Sequence, residues 1–464
     1  MSTPTAHSPA LIWERKPLAA LLALAWPTAV SMVSYSAMTL VDTLFVGRLG
    51  PAALAGVGFG GVASFALMCF PIGLVRAAKI LVSQEIGAGR RSSVAPVLGS
   101  GLLLSLVLGA LTLAAAFAVS PFIASLGGGG EAGLHASRYF DIRLWFAPVV
   151  LAYNALREVR FGTGDARSPM VAALAANVAN VVLNWWFLFG LDWGVAGSAW
   201  ATNLACVIEA GILVAAHRAA RDSISFREPR RHLRQLASLG VPTGIQFFLE
   251  VGSFTLLAAL ISSMGEIQMA GHQIAVQVLQ FSFLPAFAVG EAASVMAGQA
   301  VGASRFDLVG LVAKRALKVT LGYTLLCGAA FILGGHAIVA GFTDDPALAL
   351  VTLHLLFIGA GFQIVDGANI IVRGVLRGAG DVKFAAIFGV VVAWACTPPL
   401  TWFFGHHLGL GAMGGWIGLA VEILAGAIVF GLRLRKGGWK RVAAQVRERS
   451  ESIAGVAAES PLAA

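Results

Sequence analysis

The sequence predicts an all-α integral membrane protein: twelve transmembrane helices in two pseudo-symmetric six-helix bundles. Three observations carry that expectation. Of the 464 residues, 58% are hydrophobic and only 12% charged, where a soluble domain has about 25% charged. Apolar runs of roughly 20 to 30 residues, the length that crosses a bilayer, recur along the chain. They are continuous rather than the short alternating strands of an outer-membrane barrel. Finally, the second half repeats the first at an offset of about 215.

In order, the expected spans are 18–46, 53–84, 94–121, 139–160, 169–190, 195–217, 236–264, 270–302, 310–340, 348–374, 383–407 and 412–434. The first follows Glu14, Arg15 and Lys16 and is too long for the core of a signal peptide. Basic residues set the orientation. Arg90 and Arg91, Arg157 to Arg167, the loop Arg218 to Arg234, Arg305 to Lys318, Arg373 to Lys383 and the tail from Arg433 all fall on one side. By the positive-inside rule both termini are cytoplasmic, in a bacterial-type inner membrane. The net charge of +9 is therefore topological and implies no nucleic-acid partner. Cys69, Cys206, Cys327 and Cys396 all lie in apolar runs, which suggests neither disulfides nor a zinc site.

The repeat organises the domains. Pro27-Thr28 matches Pro242-Thr243; Pro71, Gln84 and Gly87 match Pro285, Gln299 and Gly302; Gly162, Gly164, Asp165 and Arg167 match Gly378, Gly380, Asp381 and Lys383. This gives a cytoplasmic start 1–17, bundles 18–217 and 236–434, a cytoplasmic linker 218–235 and a tail 435–464 with no evident role. Six spans per half put both repeats in one orientation, an architecture of alternating-access carriers whose substrate site lies between bundles.

Candidate site residues are polar groups where a span should be apolar. Glu250 sits mid-span, where an acid costs about 2.5 to 3.5 kcal/mol and so faces a wet or polar interior. Thr243, Gln246, Glu250 and Ser253 share its face; the plainer reading is a carboxylate tying two helices together. Gln363, Asp366, Asn369 and Arg373 form a second stripe, in which Asp366 is either an ion or proton site or the partner of Arg373. Two such acids held close share a proton or a cation, and either couples protonation to cation binding. Tyr35, Met38 and Asp42 line the first span, with Asp42 readable equally as a cap. Asn177, Asn180 and Asn184 read as helix-bridging amides or as cavity lining. Gln273, Gln277 and Gln280 share a face after His272, while Glu209 and Glu422 read as structural. Arg76 and Lys79 lie inside the second span, and the repeat sets Arg76 against Glu291. Arg76 and Glu291 either form a cytoplasmic gate, or Arg76 and Lys79 simply snorkel to the inner interface.

No P-loop, HExxH or paired-aspartate signature occurs, so an enzyme is not expected. No cofactor is expected beyond a coupling ion. Oxygen ligands at Glu250 and Asp366 suit Na⁺, and a buried acid pair suits H⁺.

Across about residues 18 to 434 the motifs resemble the MATE (multidrug and toxic compound extrusion) family. WPTAV and LVDTLFVGRLGPAALAGVG resemble its first span and loop, and QEIGAGR the exit of the second. FGTGDARSPM, NVANVVLNWWFLFG and WGVAGSAWAT resemble the fourth to sixth; VPTGIQFFLEVGSF, AGHQIAVQ and FQIVDGANIIVRGVLRGAGD resemble the seventh, eighth and tenth. The resemblance implies a V-shaped pair of bundles, working as a monomer, that exports amphiphilic, mostly cationic drug-like compounds in exchange for Na⁺ or H⁺. Asp42 matches the family's first-span acid, Glu250 and Asp366 the acids of its NorM-like branch, and Asn180 a fifth-span Asn. Asn184 stands where other branches carry Asp, and Phe362 where some NorM-like members carry Tyr. A rival within the superfamily is a flippase for lipid-linked precursors, which Arg76 and Lys79 would favour and the two acids oppose.

Overall fold

The computed structural model describes residues 11–220, 223–226 and 229–459. The expected start 1–17, linker 218–235 and tail 435–464 therefore lie partly outside the described residues. In chain order the helices are α1 (Pro17–Gly47), α2 (Pro51–Val75), α3 (Ala77–Gly87), α4 (Val94–Leu126), α5 (Gly130–Trp145), α6 (Ala147–Gly162), α7 (Arg167–Trp185) and α8 (Gly194–Ala219). They continue as α9 (Pro229–Ser262), α10 (Glu266–Gly302), α11 (Phe306–Ala340), α12 (Pro346–Gly378), α13 (Val382–Thr401), α14 (Ala412–Arg435) and α15 (Gly438–Glu459).

Eleven of the expected twelve spans are long and apolar enough to cross a membrane among the described residues, α2 and α3 counting together as one. The fourth is split, because α5 and α6 meet at Phe146. Pro148, near the start of α6, has no N–H to give a preceding carbonyl, so the hydrogen-bond ladder stops there. Outward faces are apolar: Leu333 is 86% and Leu326 70% exposed, an arrangement suited to lipid. Trp185, Trp186, Trp193 and Trp402 are exposed near the ends of α7 and α13, as in an interfacial aromatic belt. The protein is a multi-pass membrane protein.

The internal repeat extends to backbone detail. The fifth and eleventh spans both end in a π turn, Trp186–Gly190 and Trp402–His407. Gly164 and Gly380 both adopt the left-handed conformation, with φ of 89° and 91°, directly before Asp165 and Asp381. Only glycine takes that conformation without strain. Each aspartate then meets an arginine, Asp165 with Arg160 and Asp381 with Arg433.

By packing, the described chain divides into two units. One holds the chain up to Ala29, Gly87–Gly89 and everything from Gln246; the other holds Val30–Ile86 and Arg90–Ile245. Two of the divisions inside a helix fall just beyond a repeat proline, Pro27 of α1 and Pro242 of α9. A proline removes one ladder hydrogen bond, which lets the two parts of a helix take different neighbours. The core of the first unit joins Leu21, Ala293, Met296, Val309, Val375 and Phe430. That of the second joins Met68, Ala116, Phe140, Leu144 and Leu151.

Candidate functional site

A cavity of about 490 Å³ opens inside the unit that carries the C-terminal spans. Its size is ordinary for a small-molecule site. Aromatic walls come from Phe254, Phe283, Phe362 and Trp416, with Phe362 and Trp416 in contact at a ring separation of 5.8 Å. Into this apolar space project Glu250 from α9, Asp366 and Arg373 from α12, and Glu422 from α14.

Helical spacing places each group. On α9, Gln246 stands one turn before Glu250 and donates its Nε2 to Glu250 Oε1 at 2.7 Å. Arg373 Nη2 donates to the same oxygen at 2.5 Å. The arginine that could have bridged to Asp366 along its own helix therefore pairs with Glu250 instead. Glu422 accepts from the Thr397 hydroxyl. Gln363 accepts from Ser282 at 2.6 Å, while its Nε2 has no partner among the described residues; nor has Asn369 Oδ1. Both line the cavity. His272, which also lines the cavity, accepts at Nδ1 from Trp416 Nε1 at 3.0 Å.

Glu250 and Asp366 are thus brought to one cavity, joined by Gln363 and Asn369, with Gln246 behind Glu250. Gln273 and Gln277 are exposed on α10 and lie outside it; Gln280 is the member of that stripe that reaches it. Among the described residues, no three His, Cys, Asp or Glu side chains converge closely enough to hold a metal ion.

The other unit carries two polar networks. Asn184 Nδ2 donates to Asp42 at 2.7 Å and to Asn180 Oδ1 at 3.1 Å, and Asn180 donates to Thr202 at 3.4 Å. Asn177 donates to Ser34 at 2.7 Å, so the amide stripe of α7 bridges to α1 and α8. Asn180 is wholly enclosed. In the second network, the Tyr35 hydroxyl lies 2.7 Å from that of Tyr153 and donates to Glu209, and Arg157 reaches Tyr153 at 3.3 Å. Met38 lies half-buried one turn after Tyr35. Lys79 is buried and pairs with Glu158 at 3.4 Å, so it does not snorkel. Arg76 stands at the α2–α3 joint, and Glu291 is half-buried within α10.

Sequence reasoning missed Tyr153 and Glu158 and used Arg157 only as a charge that sets orientation. Tyr153, Arg157 and Glu158 all lie on α6, where a tyrosine one turn before an arginine was the available signal.

A twice-repeated all-α membrane fold with an acid-lined cavity in one half defines a transport protein. The comparisons agree. The MatE family model matches residues 27–186 and 242–403, well over half the chain. A probable multidrug resistance protein NorM of Pseudomonas syringae pv. tomato is 31% identical over 436 residues, covering 89% of this chain and 93% of the relative. Its namesake in Bradyrhizobium diazoefficiens is 31% identical over 435 residues, covering 89% and 92%. Among solved structures, a MOP superfamily transporter from Pyrococcus furiosus superposes with a TM-score of 0.85 at 23% identity, over 91% of this chain and 97% of that one. A MATE protein in the straight conformation gives 0.84 at 24%, over 92% and 97%. The chain belongs to the MATE family, in its NorM-like branch; it is a transporter and not an enzyme.

Proposed function

We propose that this transporter is a secondary active antiporter that exports amphiphilic, mostly cationic organic compounds in exchange for a coupling ion, Na⁺ or H⁺. It works as a monomer in the inner membrane with both termini cytoplasmic. The observation that carries the coupling site is the cavity shared by Glu250 and Asp366, an aromatic-walled space holding more acid than base. Carboxylates inside a membrane protein are expensive and are kept where they bind or relay charge. The relatives named as probable multidrug resistance proteins support the substrate class.

In the proposed cycle the ion and the substrate favour opposite states. An ion arriving from outside binds at the acids and releases the drug outward. Once the ion leaves to the cytoplasm, the ionised acids favour a cationic, aromatic-compatible guest again. Asp42 and its amides form the corresponding polar point in the first half.

The test is export of a fluorescent cationic dye from proteoliposomes under separate Na⁺ and pH gradients, with wild type, Glu250→Gln and Asp366→Asn. Uphill transport driven by one gradient and lost in both variants is the expected result. Transport that survives both substitutions would move the site to Asp42. No gradient-driven movement of any charged probe would favour the lipid-precursor flippase.

A further inference from the structure

Of the three carboxylates in the cavity, Asp366 alone makes no hydrogen bond or ion pair with any described residue. Glu422 takes the Thr397 hydroxyl, and Glu250 takes Gln246 and Arg373. The arginine sets Glu250 apart. Its Nη2 lies 2.5 Å from Glu250 Oε1, and its Cζ lies 5.6 Å from the centroid of the Phe430 ring. The guanidinium is held between a carboxylate and a π face, both of which favour a cation. Gln246 donates to the same carboxylate oxygen, so that oxygen already has two donors.

A hard cation such as Na⁺ needs oxygen lone pairs turned toward it. At Glu250 Oε1 it would meet an amide N–H and a fixed positive charge instead. Nor is there slack behind the pair. A Cβ at Gly389 of α13 would come within 2.6 Å of Gln246 Nε2 and 3.1 Å of Glu250 Oε1. The remaining charges that line the cavity are Asp366 and Glu422, which sit on α12 and α14.

The geometry points to Arg373 as a resident cation: it occupies Glu250 as a coupling Na⁺ otherwise would, so Glu250 is not a Na⁺ ligand of this cavity. The inference rests on the C-terminal cavity being the coupling site. Arginine suits the role because it does not deprotonate in proteins. Tethered to α12, it does not leave, and Glu250 keeps its countercharge whatever the Na⁺ concentration outside.

The experiment is equilibrium binding of radioactive Na⁺ to the purified full-length protein in detergent, at constant ionic strength with choline as replacement. Wild type is expected to show no saturable binding that Glu250→Gln removes. Arg373→Gln is expected to gain such binding, and Arg373→Gln with Glu250→Gln to lose it again. If Arg373→Gln does not fold, Arg373→Met, close in volume, takes its place. Saturable binding to wild type that Glu250→Gln abolishes overturns the inference, as does a folded Arg373 variant that binds no Na⁺. Because the readout is binding, it stays separate from the dye assay. Absence of transport with Arg373-dependent exclusion of Na⁺ intact would count against the antiport reading and leave the resident cation standing.

Discussion

Lys79 on α3 and Glu158 on α6 form an ion pair at 3.4 Å with side chains only 5% and 3% exposed. Arg157 approaches the same carboxylate at 3.2 Å. A buried pair adds little net stability over a well-packed apolar replacement, but removing one partner strands a charge in a medium that cannot solvate it. Arg157 stays beside Glu158 when Lys79 is removed, so Lys79→Met should cost less than the about 3 to 5 kcal/mol of a fully stranded charge. Glu158→Leu takes the partner from both Lys79 and Arg157 and should cost more. Thermal unfolding of the purified variants checks both, and equal losses in the two variants would contradict the prediction.

Gly378 ends α12 where a Cβ would lie 2.0 Å from the backbone oxygen of Ser294. Backbone cannot yield as a side-chain tip can, so Gly378→Ala has to push α10 and α12 apart. A loss of about 1 to 3 kcal/mol is expected, the usual cost of overpacking. Gly361 on the same helix is the control, since nothing lies within 4 Å of its added Cβ. Gly361→Ala should be neutral or slightly stabilising in the same unfolding assay.

The fold was legible because its determinants are periodic. Apolar runs, the proline pairs and the Gly-Asp motif recur at a fixed offset, and the structure repeats the same turns at Gly164 and Gly380. The break at Phe146 was less visible, since hydropathy does not register a missing N–H at Pro148. Site residues were legible one helix at a time. Spacing put Asp366 and Arg373 on one side of α12, but the partner of Arg373 lies 123 positions away at Glu250. Helical periodicity carries no information across that separation. Glu158 was passed over inside the expected span 139–160, because its neighbours Arg157 and Arg160 were weighed only for orientation, although it is buried in α6.

The tail is a further case. An Ala-rich polar stretch suggested no role, yet α15 begins with Trp439, 3% exposed, against Phe306 at a ring separation of 6.1 Å. Ala443 is also buried in the core that contains Val309 and Met296. Trp439→Ala should cost about 3 kcal/mol or more, as other large-to-small core changes do. Ending the chain at Lys436 should do at least as much. Unfolding temperature measures both, and an unchanged value would show that α15 does not contribute to this core.

Asp165 lies between α6 and α7, outside the spans. Partial burial disfavours its charge, but hydrogen bonds from Ser168 and the Arg160 guanidinium outweigh that and hold its carboxyl below the usual range. A depressed folded value means that the unfolded chain binds the proton more readily, so the contribution is complete above the ordinary Asp value of about 3.9. It fades as pH falls from there through the folded value. Asp165→Asn should therefore destabilise the protein at neutral pH, with a difference from wild type that shrinks below about pH 4. Denaturant unfolding across that range tests the sign.

Gly389 on α13 sets the position of the Glu250 pair from behind. An added Cβ would lie 2.6 Å from Gln246 Nε2, closer than any ordinary contact. The amide is the far end of a flexible side chain, so it can move, but in moving it gives up the 2.7 Å bond to Glu250. Gly389→Ala and Gln246→Ala therefore remove the same interaction by different routes, one by displacement and one by deletion. Each should reduce gradient-driven dye export while leaving the unfolding temperature within a few degrees of wild type. Effects that act through one shared contact do not add. Gly389→Ala with Gln246→Ala should then transport no worse than the poorer single variant, because the new methyl meets no amide once residue 246 is truncated. A double variant whose defect equals the two single defects combined would mean that Gly389 acts on the cavity by some path other than Gln246.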